Sequence, residues 1–361
     1  MSRFRATASA GLVAASSLLV ATCAPSQSGG DVGNSDDADR ASAAPICLFT
    51  DLDGTFVDYK DKEAVTRRLE VFFEHWDTHE RPRGSILVYN TARSIRMYEA
   101  LPADFPNFRP PDVLITGEGT EIRWLTSPLS SSSSSSSSAL AHGHDSRFFE
   151  FVVDKSWANR IRAFWWDSGL RERVLSALDL VDEECIANLN VPENALNSQG
   201  EARHAITIEG GPGSEKRAAD LLQSFSKQLN GGEFQPDESA TSIRTVELAA
   251  FPAWGEDPIP QIITALPGCA GKGKAAQYVC DRLDIPESRC ICAGDTLGDI
   301  AMLRDAGDMR FFAVANARDS LKVAVADERK RADIVSAFPC VVGNTGAAGV
   351  LEGLKRFRTE L

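Results

Sequence analysis

The chain has 361 residues, 43% of them apolar and 25% charged, enough for one large or two moderate domains with a substantial core. Its formal charge of −13 excludes a broad nucleic-acid-binding face, which needs a basic surface. An anionic ligand must therefore meet a local Lys/Arg cluster or a metal.

Arg3 and Arg5 precede a short Ala/Ser-rich apolar run ending at Cys23, and no acidic residue occurs before Asp31. Residues 1–30 read as a cleaved targeting segment of organellar (plastid-like) or secretory type, with lipid modification at Cys23 a third route. The run is short for a membrane crossing, so no integral span is expected in the mature chain. Residues 31–44 are rich in Ser, Gly and Asp and read as a linker. Residues 46–49 then form a buried strand that breaks into Thr50-Asp51-Leu52-Asp53-Gly54-Thr55. Two carboxylates one residue apart repel unless a cation or a shared proton sits between them; the alternative is an ordinary Asp-Gly turn.

Apolar residues at 64, 65, 69, 72, 73 and 76 predict a helix over 62–80. His75 and His79 stand four apart on it without a third ligand, which assigns them a surface or half-buried role. Residues 85–90 predict a second strand, ending in Thr91-Ala92-Arg93-Ser94 and entering a helix through about Leu101. A hydroxyl followed by unpaired helix-opening amides makes a phosphate-type site, and equally a helix cap. Residues 113–116 predict a third strand, followed by Gly117-Glu118-Gly119-Thr120-Glu121-Ile122, whose glycines suit close backbone approach or a tight turn. The serine run over 130–138 is a solvated insertion, with His142 and His144 in the loop beyond it.

From about Arg147 the pattern changes to an α+β block: aromatic-rich residues including Trp157 and Trp165, a helix near 171–180, a strand over 205–209, a helix over 214–229 and a strand over 245–251. Strand-helix alternation then returns. Gly271-Lys272-Gly273-Lys274 opens a helix through Asp284, residues 290–293 form a buried strand ending in Gly294-Asp295-Thr296-Leu297-Gly298-Asp299, and residues 311–314 form another that leads to Ala315-Asn316-Ala317. Of eight cysteines, Cys290 and Cys292 are expected on opposite faces of their strand, an arrangement suiting neither a zinc knuckle nor a redox pair; most cysteines are expected to be buried thiols, with no disulfide framework.

Asp51, Asp53, Thr91, Lys272, Asp295 and Asp299 thus fall at strand ends or a helix start, where an open α/β sheet gathers its chemistry. Carboxylates for a hard divalent cation, with a Lys and a hydroxyl for phosphoryl oxygens, form a specific set. On Asp51-Leu52-Asp53-Gly54-Thr55, Thr91, Lys272-Gly273 with Ala275, and Gly294-Asp295 with Asp299, the chain resembles the haloacid-dehalogenase-like phosphatase superfamily over residues 46 to about 342. Within it, Asn90-Thr91-Ala92-Arg93-Ser94, Gly119-Thr120-Glu121-Ile122 and residues 270–275 are most similar to sucrose-phosphate phosphatases.

The resemblance implies a doubly wound, mostly parallel α/β sheet (Rossmann-like core, residues 45–122 and 265–361) with an inserted α+β cap of C2 type (123–264). It implies Mg2+ on Asp51, Asp53, Asp295 and Asp299, with Asp299 either ligating or orienting Lys272 or a metal-bound water. Asp51 is the implied nucleophile, Asp53 the acid and base, and Thr91 and Lys272 the phosphoryl holders. Thr55, Arg93, Ser94, Gly119, Thr120, Glu121 and Asn316 are the implied substrate-binding residues. The implied substrate is a small-molecule sugar phosphate, with sucrose 6-phosphate favoured, and association with a sugar-phosphate synthase is left open. Another sugar or glycosyl-glycerate phosphate, or a catalytically silent binding domain, are the alternatives. Ala92 where Gly is expected, no Asn before Asp299, no Lys in the cap strand at 204–208, and the serine insertion depart from the sucrose-phosphate pattern.

Overall fold

The computed structural model describes residues 44–59, 62–126, 150–179, 202, 204–208, 243–245, 261–305, 307–331 and 338–361. The expected targeting segment, the serine run, His142 and His144, the helix over 214–229 and the strand residues beyond 245 lie outside them.

Strands β1 (Cys47–Thr50), β2 (Ile86–Asn90), β3 (Val113–Thr116), β4 (Glu121–Leu125) and β5 (Phe151–Val153) are followed by β6 (His204–Ile208), β7 (Ile243–Thr245), β8 (Gln261–Ala265), β9 (Cys290–Gly294), β10 (Arg310–Ala313) and β11 (Cys340–Val341). The helices are α1 (Lys62–His75), α2 (Ile95–Glu99), α3 (Leu101–Asp104), α4 (Lys155–Arg162), α5 (Leu170–Asp179), α6 (Lys272–Leu283), α7 (Ala301–Arg304), α8 (Asp319–Arg331) and α9 (Gly346–Arg358). Eight strands make one sheet in the order β11-β10-β9-β1-β2-β3-β4-β5, parallel from β11 to β3. The order reverses direction of growth between β1 and β9, which leaves a crevice beyond their C-terminal ends. Strands β6, β8 and β7 form a separate antiparallel sheet from the inserted segment.

Strand β1 is completely buried because helices cover both faces of a parallel sheet, which is why its sequence is an unbroken apolar run. Helix α1 turns Val65, Leu69, Phe72 and Phe73 onto the sheet, where Phe56 meets Phe72 edge-on at 4.8 Å between ring centres. After His75 the backbone widens into a π-helical turn, Trp76–Glu80, and closes through a short 3-10 turn at Gly84, in the left-handed region. His75 and His79 stack on one another there, and no group of metal-ligating side chains among the described residues includes them.

The sequence and the fold differ at three places. The helix expected from Ser94 to Leu101 is two short ones, because Pro102 at the start of α3 has no amide to continue the ladder of α2. The sheet continues past residue 122: β4 folds back antiparallel on β3, with Val113 opposite Trp124, and β5 adds to β4. Cys290 and Cys292 share a face of β9, since side chains two positions apart point the same way; Cys290 meets Cys280, and Cys292 approaches Met309 at 3.7 Å. Trp157 and Trp165 are buried, on α4 and the π-helical turn Ala163–Asp167 after it.

Candidate active site

Strand β1 ends at Thr50, and the chain then turns tightly: the amides of Phe56 and Val57 both donate to Leu52 O, and Gly54 N donates to Val57 O at 2.9 Å. Gly54 is required here. Its φ is 79°, and a Cβ would lie 2.2 Å from Asp295 Oδ2. The carboxylate of Asp295, at the end of β9, occupies that space and accepts from Thr55 Oγ1 at 2.7 Å.

Lys272, the first residue of α6, reaches across the crevice. Its Nζ donates to Asp51 Oδ1 at 2.7 Å and to Asp299 Oδ1 at 2.6 Å, with all three side chains at most 8% exposed. Burial alone would lower the Lys272 ammonium; the charges of Asp299 and Asp51 outweigh it and hold the pKa above the ordinary lysine value. The other oxygen of Asp299 accepts from the Asp295 and Thr296 amides at 3.1 and 2.9 Å and from Thr296 Oγ1 at 3.0 Å. Both Asp299 oxygens are therefore engaged by protein donors, in the capping box of the short helix Leu297–Ile300.

Asp51, Asp295 and Asp299 offer carboxylate oxygens within 4.8 Å of one another, all buried. Burial, against the pull of Lys272, pushes Asp51 up to about 7, and burial with the charges of Asp299 and Asp51 pushes Asp295 well up. Crowded, desolvated carboxylates of this kind are what a hard divalent cation relieves, so the donor set fits one.

Thr91 is fully buried at the end of β2, and its hydroxyl accepts from Arg93 N at 3.1 Å. Ser94 caps α2 through Met97 N at 3.2 Å. Arg93 grips Asp53 with two parallel bonds, Nε to Oδ2 at 2.8 Å and Nη2 to Oδ1 at 2.6 Å, and Nη2 also donates to Tyr59 OH. Tyr59 carries no motif signal, and its place beside Asp53 comes only from the loop after β1 folding against α2. The side-chain amide of Asn90 donates to Lys272 O at 2.9 Å and so ties β2 to the start of α6.

The loop Gly117 to Thr120 approaches the same helix start. Gly119, with φ 87°, would place a Cβ 2.4 Å from Gly271 O, and its own carbonyl accepts from Trp157 Nε1 at 3.1 Å. Close backbone approach is thus the reason for this glycine. A cavity of about 370 Å³ lies beside this loop, lined by Ser94, Thr120, Glu121, Arg123, Trp157 and Trp166 among others. Of the residues expected to bind substrate, Ser94, Thr120 and Glu121 line it; Thr55 is bonded to Asp295, Asn316 donates to Gly54 O at 2.6 Å, and Arg93 holds Asp53.

The profile of the family described as sucrose-6F-phosphate phosphohydrolase matches residues 44–181 and 261–358. A probable sucrose-phosphatase 3b of Arabidopsis thaliana is 27% identical over 78% of this chain and 53% of its own length; sucrose-phosphatase 1 of Nicotiana tabacum is 26% identical over 82% and 59%. The chain thus spans little more than half the length of these curated relatives. Among solved structures, the sucrose-phosphatase of Synechocystis sp. PCC6803 in complex with sucrose and phosphate has the same fold, with TM-score 0.57 and 18% identity over 87% of this chain and 98% of that one. With some two thirds of its residues inside the profile, and those residues holding every carboxylate of the crevice, the chain belongs to the sucrose-6F-phosphate phosphohydrolase family.

Proposed function

We propose that the protein is a Mg2+-dependent phosphatase of a sugar phosphate, with sucrose 6-phosphate as the favoured substrate. The observation that carries this reading is the Lys272 ammonium held between Asp51 and Asp299, with Asp53 two residues beyond Asp51 and the Thr91 hydroxyl buried at the neighbouring strand end. A silent binding domain would have no need to keep a buried lysine against two carboxylates.

Asp51 attacks phosphorus and displaces the sugar oxygen, giving an aspartyl-phosphate. Asp53 protonates the leaving oxygen and then takes a proton from the water that hydrolyses the intermediate, which returns Asp51 and releases phosphate. Lys272, the Thr91 hydroxyl and nearby backbone amides hold the transferring oxygens, so positioning and charge supply most of the acceleration. Asp51, Asp295 and the Asp53 carbonyl would hold Mg2+, which when bound would supply positive charge against the phosphoryl group. Asp299 acts through Lys272, since both its oxygens are already bonded. Arg93 pairs with both Asp53 oxygens, so substrate entry must loosen this pair before Asp53 protonates the leaving oxygen.

The cavity beside Thr120 supports the sugar assignment, offering mostly apolar walls with Ser94, Thr120, Glu121 and Arg123 as polar groups and a Trp166 face that is 38% exposed. Among the described residues no helix is long and apolar enough to cross a membrane. We also assign residues 1–30 as a targeting segment of organellar or secretory type, which N-terminal sequencing of the mature protein tests. The function is tested by phosphate release from sucrose 6-phosphate, other sugar phosphates and a glycosyl-glycerate phosphate, with and without Mg2+. Selective Mg2+-dependent hydrolysis of sucrose 6-phosphate is expected. Turnover of the others alone would discard the sucrose assignment, and no turnover by folded protein would discard catalysis.

A further inference from the structure

At the ends of the strands opposite the carboxylates lies a cluster of sulfur. Cys47 opens β1 and Cys290 opens β9, and the two are register partners on adjacent parallel strands. Cys280 comes from the buried face of α6, next to Ala276 and Val279. The three Sγ atoms lie within 4.8 Å of one another, at most 1% exposed. None has a role in the chemistry proposed above.

Within the cluster, the Cys280 and Cys290 sulfurs stand 2.8 Å apart. Even carbon atoms, which are smaller than sulfur, pack at roughly 3.5–4.0 Å when not bonded. Two sulfurs each ~2.3 Å from one tetrahedral zinc ion stand ~3.8 Å apart. A disulfide places them at ~2.0 Å. The pair is therefore closer to bonding distance than to the spacing of two ligands on one metal. No Asp, Glu or His among the described residues joins the three sulfurs as a further ligand, and a trithiolate centre would bury net negative charge.

We propose that Cys280 and Cys290 become a disulfide when the chain folds in an oxidising compartment, with Cys47 remaining as a thiol beside it. Before α6 settles on β9, Cys290 reacts as its thiolate. It attacks one sulfur of a low-molecular-weight disulfide and expels one small thiolate. Cys280 then displaces the second small thiolate from Cys290, and the protons of the two protein thiols end on the two released thiols. Two cysteines are oxidised and one small disulfide is reduced. Because all three sulfurs are buried in the folded protein, the bond forms before α6 settles on β9 and is shielded afterwards. It ties the end of the helix that begins with Lys272 to the start of the strand that leads to Asp295.

The test is to refold the full chain in a glutathione redox buffer, map its peptides without reduction, and count free thiols in denaturant. A peptide linked through Cys280 and Cys290, two fewer free thiols than the eight of the sequence, and a melting temperature that falls by roughly 5 °C or more on reduction are expected. Cys280→Ser should remove the reduction-dependent shift, and Cys292→Ser should keep it. Eight free thiols after oxidising refolding, a link through Cys47, or a stoichiometric thiol-bound zinc or copper ion in the purified protein would each overturn the proposal. The peptide map needs only the natural sequence, so it decides the matter even where a serine variant fails to fold.

Discussion

Replacing Asp299 with asparagine keeps its volume and removes its charge. In the native site one carboxylate oxygen accepts from Lys272 at 2.6 Å, and the other accepts from two amides and a hydroxyl at 2.9–3.1 Å. An asparagine must turn its NH2 toward one of these groups, and both consist of donors. Either orientation sets buried donor against buried donor, which costs about 1–3 kcal/mol of stability. Lys272 is then held by Asp51 alone. Loss of one fixed donor to a transition state lowers kcat by about 10²–10³-fold, and the Asp299→Asn variant is expected near the lower end because the lysine itself remains. The assay is phosphate release across a Mg2+ titration, paired with urea unfolding. Because Asp299 acts through Lys272, kcat should fall by a larger factor than the Mg2+ concentration for half-maximal activity rises, the loss of an outer partner of a metal site costing about 10–100-fold in metal affinity or activity. Near-native kcat combined with weakened Mg2+ dependence would refute the positioning role.

Further expectations follow from the same geometry. Gly54→Ala meets both a left-handed backbone and the Asp295 carboxylate 2.2 Å from the new Cβ, so it should lower activity at least ~100-fold by displacing a group that must be held to well under an ångström, with the effect read as kcat in a still-folded protein. Glu80 is fully buried; burial pushes its carboxyl up, but the hydrogen bonds and charge of Arg358 outweigh this and hold it below the ordinary value. Its contribution is therefore present above the ordinary carboxylate range and lost as pH falls through the folded-state value. Arg358→Met should cost ~3 kcal/mol at pH 7, less where Arg83 and Ser85 compensate, and the deficit in urea unfolding should narrow as pH drops below ~4; a deficit constant with pH would contradict the assignment. Trp166→Ala should raise KM for the sugar phosphate ~10-fold with kcat nearly unchanged, as expected for loss of uniform binding; unchanged KM would remove Trp166 from the sugar subsite.

Asp51, Asp295 and Lys272 were legible because each stands at or next to an element boundary that apolar patterning marks: the run before Asp51, the run before Asp295, the Gly-Lys-Gly start of α6; Asp53 and Asp299 follow in the same two turns. What periodicity could not supply was contact between distant segments. Arg93 on Asp53 joins positions 40 apart, and Arg358 on Glu80 joins positions 278 apart. Neither pair carries a local signal. The extension of the sheet by β5 was hidden for a different reason: three half-exposed residues at an edge show no burial pattern to read. The sulfur cluster likewise needed β1, β9 and α6 to be placed before the cysteines could be seen to converge.

The role of Asp51 as nucleophile is tested most directly by trapping the intermediate. The protein is mixed with sucrose 6-phosphate and Mg2+, acid-quenched within milliseconds, digested and mapped by mass spectrometry. The expected result is a phosphate on Asp51 in the peptide containing Leu48 to Thr55, absent from the Asp51→Asn variant. Mg2+-dependent turnover that persists in Asp51→Asn, with no phosphorylated aspartate at any time point, would contradict it.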